Sequence, residues 1–121
     1  MARRDLTGAV NFTYLNSYVG DDQGIVAEVL DIFEQQAEIW LKLFRLDAPD
    51  EAWRDAAHTM KGAALGVGAT ELASACSDAE LNAAHPATRA VLMDQVLTNL
   101  NAVLGDIAAW KHEQLLQGLK G

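Results

Sequence analysis

Apolar positions along this chain recur at steps of three and four almost everywhere, the spacing that lines one face of an α-helix. From Ile25 the series Val26, Leu30, Phe33, Ala37, Trp40/Leu41 and Phe44 holds for about six turns. Asp21 and Asp22 stand before it as candidate N-caps, and Gly20 can close a shorter helix containing Phe12, Leu15 and Val19. Leu46-Asp47-Ala48-Pro49 interrupts the pattern, and Pro49 suits the first turn of the next helix, with Asp50 and Glu51 near its positive end. That helix carries a buried seam of Trp53, Ala57, Met60, Ala64 and Val67, and Gly66 and Gly68 end or bend it. Thr70 and Glu71 mark a restart, with Leu72, Cys76 and Ala79 facing inward. After His85-Pro86 a last helix runs through Met93, Val96, Leu100, Val103, Ile107 and Trp110. No segment alternates with period two. The pattern predicts an all-α domain, an up-down antiparallel four-helix bundle with a short extra N-terminal helix.

At 121 residues the chain is long enough for one domain, taken as 1–121 with residues 1–9 as a flexible lead. Half the residues are hydrophobic and only two are proline, which excludes a low-complexity or disordered chain. Nine basic residues against seventeen acidic leave a net charge of −8. That charge makes nucleic acid and anionic membrane poor partners, since both need basic patches. No apolar run approaches the roughly 18 residues of a membrane span, and Arg3-Arg4 is not followed by the apolar core of a secretory signal. The single cysteine, Cys76, cannot close an intramolecular disulfide. A reducing cytoplasm is the expected location.

The informative segment is His58-Thr59-Met60-Lys61-Gly62-Ala63-Ala64-Leu65-Gly66-Val67-Gly68. At 100° per residue, His58, Lys61, Gly62 and Leu65 share one face, while Ala57, Met60 and Ala64 point into the bundle. Gly62 lies in a helix interior with no turn in sight, where glycine costs about 1 kcal/mol relative to alanine. A local rule broken without structural gain points to function. Here the gain is access, because the missing side chain at i+4 opens the imidazole to a bulky partner. A neutral imidazole is abundant at pH 7 and is a competent nucleophile. Lys61 adds a positive charge beside any anion that it carries. Leu65, almost at the same azimuth, is either an apolar docking contact or a residue packed under the turn at Gly66–Gly68.

His58-Thr59-Met60-Lys61-Gly62, with Gly68 ten residues after the histidine, resembles the H-x-L-K-G…G signature of histidine-containing phosphotransfer (HPt) domains. The likeness continues through Leu72, Cys76 and Glu80 and covers residues 10 to 85. Met60 stands where leucine is usual, a volume-conserving exchange. Ala79 replaces a common leucine, and Gly66 falls where a polar residue is frequent. The resemblance implies a phosphoryl carrier with no kinase or hydrolase activity of its own. It would accept a phosphoryl group on His58 Nε2 from a receiver-domain aspartate or a sensor histidine kinase and pass it to a response regulator. The receiver would bring the Mg2+ ion, so no intrinsic cofactor is expected. The resemblance also implies that Glu80 hydrogen-bonds His58 Nδ1 and so fixes the nucleophilic tautomer.

Other residues have plainer readings. Trp40, Trp53 and Trp110 lie at or beside seam positions and are core, and Cys76 is a buried inert thiol. His58, His85 and His112 stand 27 residues apart in succession, without the spacing of a metal site in a bundle. The acidic groups Asp21-Asp22 and Asp47 to Glu51 read as helix caps and solvated surface. The competing function is a helical adaptor whose histidine is never phosphorylated, and a third reading is a phosphoacceptor domain excised from a kinase. The start at Met1 favours a free-standing protein, expected as a monomer.

Overall fold

Five α-helices form where the apolar period predicts them, in a computed structural model that describes residues 8–119. They are α1 (Phe12–Tyr18), α2 (Gln23–Leu43), α3 (Asp50–Gly66), α4 (Thr70–Leu81) and α5 (Arg89–Leu119), with a single 3₁₀ turn over Pro86–Thr88 leading into α5. No strand occurs among the described residues. Helix α2 packs on α3, α3 most extensively on α4, α4 on α5, and α5 back on α2. Connections of three to seven residues join these four, so sequence neighbours run antiparallel, and α1 lies against α2. No helix of the described residues is long and apolar enough to cross a membrane.

The caps show how the sequence sets these boundaries. Of the two candidate aspartates, Asp22 is the N-cap of α2, its Oδ1 accepting from the Gly24 and Ile25 N–H groups at 2.9 and 3.1 Å. Asp21 instead joins Gly20 in the left-handed region, φ 62° and 71°, and the pair turns the chain out of α1. Pro49 stands just outside α3 rather than in its first turn, because its ψ of 151° is extended; its carbonyl accepts the Trp53 N–H. Asp50 and Glu51 do occupy that first turn.

The core is one cluster containing the expected seam: Val26, Leu30, Phe33, Ala37 and Trp40 from α2, and Trp53, Ala57, Met60 and Ala64 from α3. Leu72, Cys76 and Ala79 come from α4, and Val96, Leu100, Val103, Ile107 and Trp110 from α5. Two charged side chains are buried with them, Arg89 and Asp106. The expected flexible lead lies, as far as Thr7, outside the described residues. Ala9 packs partly against the core, and the Val10 N–H donates to Asp106 Oδ2 at 3.2 Å.

Candidate functional site

Helix α3 buries its alanine-rich face and turns His58 outward, with 70% of the side chain exposed. Alanine at positions 56, 57 and 64 lets α4 approach closely, which brings the last turn of α4 beside the histidine. Glu80 is in that turn. Its Oε2 lies 2.9 Å from His58 Nδ1, and its Oε1 lies 3.8 Å from Lys61 Nζ. An ionised carboxylate only accepts hydrogen bonds, so the contact places a proton on Nδ1. In the neutral ring the lone pair then sits on Nε2, which has no hydrogen-bond partner among the described residues.

Gly62 lies one turn below the histidine, and a Cβ built there would meet nothing within 4 Å. The position is therefore open space beside the ring rather than a close approach of two backbones. Leu65 is 49% exposed and lines a shallow groove with Asn11, Tyr14, Gly68 and Thr70. The turn that follows leaves about half of it uncovered. All five residues singled out from the sequence thus fall on one side of the α3–α4 pair, with His58 and Lys61 each in reach of Glu80. His85 and His112 are exposed, and neither ring is held by a carboxylate of the described residues.

Cys76, one turn before Glu80, is fully buried. Burial first and the Glu80 charge second push its thiol up to about 12, against a smaller opposing pull from Lys61. It stays a neutral thiol at physiological pH. No group of three or more His, Cys, Asp or Glu that could hold a metal ion occurs among the described residues.

Two features escape the periodic reading. The Trp53 indole N–H donates to the Ala79 carbonyl at 2.8 Å, which ties α3 to α4 one residue before Glu80. Arg89 lies over the Trp53 ring, its Cζ 4.8 Å from the centroid, and its guanidinium reaches Leu46 O, Ala48 O, Ala83 O and Asp50 Oδ1. An arginine at the start of α5 runs against the helix dipole, and that mismatch is the one trace of this role in the sequence.

Three comparisons bear on what this arrangement belongs to. No curated protein matches the chain in sequence. The family model described as Hpt domain matches residues 26–111. The crystal structure of the histidine phosphotransferase ShpA from Caulobacter crescentus is similar at 40% identity and a TM-score of 0.77, over 92% of this chain and 98% of that one. The helical bundle, the family match over most of the chain and this likeness agree on a phosphotransfer role in phosphorelays, and the chain belongs to the Hpt domain family.

Proposed function

We propose that His58 is the residue that carries the phosphoryl group. The observation behind this reading is an exposed imidazole whose Nδ1 is held by Glu80, so that Nε2 faces solvent as a lone-pair nucleophile. Hpt domains work with receiver domains and histidine kinases. In the proposed step Nε2 attacks the phosphorus of a receiver's aspartyl phosphate. The N–P bond forms as the P–O bond breaks, and the aspartate leaves as a carboxylate. Transfer onward to a response regulator is the reverse reaction with a second receiver. Glu80 stabilises the positive ring that forms, and Lys61 offers a cation to the phosphoryl oxygens. Gly62 leaves room for the receiver's acidic pocket, which brings its own Mg2+, and Leu65 supplies an apolar contact at the edge of the docked surface.

In this reading the protein is half of an active site, a monomeric cytoplasmic carrier without kinase or hydrolase activity. It has neither a phosphate-binding Gly-rich loop nor a nucleotide motif in its sequence. The test is incubation with a phosphorylated receiver domain. The protein should acquire an acid-labile, alkali-stable label, and His58→Gln should abolish it with helical content unchanged. Labelling that survives in His58→Gln defeats the assignment. A parent protein that binds receivers but is never labelled is the adaptor instead.

A further inference from the structure

Glu80 is the penultimate residue of α4, in a turn whose carbonyls have no partners further along the helix. Such turns fray, yet the contact with His58 needs this one fixed. Its carbonyls find three different partners. Asp78 O accepts from the Asn82 backbone and side-chain N–H groups at 3.2 and 2.8 Å, and Glu80 O accepts from the Ala83 N–H at 3.3 Å. Because Ala83 turns to Glu80, the Ala79 carbonyl loses its usual partner four residues on. It is satisfied from another helix, by the Trp53 indole.

We propose that Trp53 is a positioning residue for phosphotransfer, its indole N–H holding the last turn of α4 where the Glu80 carboxylate meets His58 Nδ1. The proposal rests on the reading of His58 as phosphoacceptor. Trp53 and His58 belong to the same helix, and their partners Ala79 and Glu80 are consecutive on the next. The indole and imidazole contacts, 2.8 and 2.9 Å, therefore join the two helices at two adjacent points and set their register. The anchor is itself rigid. Trp53 is fully buried, stacked on Phe44 at 4.1 Å between centroids, and lies beneath the Arg89 guanidinium. Arg89 also bonds Ala83 O at 3.3 Å, two residues past the helix end. A hydrophobic ring alone would fill this space; the donor at its edge is what reaches the orphaned carbonyl.

The test removes the donor and keeps the ring. Trp53→Phe is made in the full chain, and in parallel position 53 receives an isosteric tryptophan analogue with sulfur in place of the indole N–H, which preserves packing should the phenylalanine variant be too unstable. The His58 ring-nitrogen resonances are recorded, and the rate of transfer from a phosphorylated receiver domain is measured. In both variants the Nδ1–H tautomer should lose population. Transfer should slow about fivefold, the size expected for one ordinary hydrogen bond. In a Glu80→Ala background the same change should slow transfer no further, because Trp53 acts through Glu80. Ring-nitrogen resonances that match the parent in both variants overturn the proposal, as does an equal slowing with and without Glu80. Failure of the underlying reading looks different: the label then persists in His58→Gln, whatever the nitrogen resonances show.

Discussion

Gly62 and His58 stand one helical turn apart, and the space between them separates two effects of substitution. Nothing lies within 4 Å of an added Cβ, so Gly62→Ala should gain the helix propensity of alanine without a clash. That gain is roughly 1 kcal/mol, or roughly 4 °C in melting temperature. Gly62→Gln should gain stability as well, yet stop transfer by laying a side chain across the approach to Nε2. A Gln variant that transfers at the parent rate would leave the glycine without a role in access. Lys61 is a half-buried cation 3.8 Å from Glu80. Lys61→Ala should slow transfer only about twofold to fivefold, and less at high salt, since a partly solvated charge is screened. Cys76 makes a prediction in pH. Its folded thiol, at about 12, lies above the ordinary value of 9.0, so the folded protein keeps a proton that the unfolded chain releases. The stability this adds is whole below pH 9.0 and is lost as pH rises toward about 12. Urea midpoints at about pH 8 and about pH 10.5 should therefore fall further apart in the parent than in Cys76→Ala.

At the scale of elements, the α3–α4 hairpin is the framework of the site, and its turn leaves little room for change at Gly68. Gly68 closes it at φ 71°, and a Cβ there would sit 3.0 Å from Asn11 Cβ and 3.1 Å from both Asn11 O and Tyr14 Cδ2. Its carbonyl accepts the Asn11 N–H at 3.1 Å, so the start of α1 is seated on this turn. Gly68→Ala should cost about 1–2 kcal/mol for the left-handed backbone alone, and more for the crowding, measured as a lower urea midpoint. It should be far costlier than Gly66→Ala, where a Cβ meets nothing. The hairpin also shows what could be read in advance. His58, Lys61, Gly62 and Leu65 lie on a single helix, so the 3.6-residue period alone puts them on one face. Glu80 is on another helix, and only the family resemblance connected it to the histidine. Trp53 reads as core in the sequence because periodicity registers its apolar ring and is blind to the N–H at its edge. Asp50 reads as an acid at the positive end of α3, which it is, but its partner Arg89 is 39 residues away in sequence, beyond the reach of any local pattern.

Over the whole molecule, packing places the helices and a few long-range polar ties fix how they meet, and these ties differ in kind. Lys111 on α5 pairs with Asp31 and Glu34 on α2 at the surface. Burial alone would lower the Lys111 pKa, but its two hydrogen-bonded acids outweigh that and raise it. All three groups remain partly in water, where ion pairs contribute at most about 1 kcal/mol. Arg89 is 3% exposed and works differently. It gathers Leu46 O and Ala48 O from the connection before α3 and Ala83 O from the connection after α4, at 2.6 to 3.3 Å. Two loops distant in sequence are thereby joined beside the start of α5. Its acid partner Asp50 is half in solvent, so losing the arginine would not strand a buried charge. It would leave the buried Ala83 carbonyl and the part-buried Leu46 and Ala48 carbonyls without this donor and uncover the Trp53 ring, a buried orphaned group costing about 1–3 kcal/mol. Lys111→Ala should thus change the unfolding free energy by less than about 1 kcal/mol. Arg89→Met, which keeps much of the apolar stem, should cost several times as much, about 2–4 kcal/mol. Urea denaturation of both variants measures the contrast. Equal losses would mean that the guanidinium contributes no more than a surface ion pair to holding the two connections together.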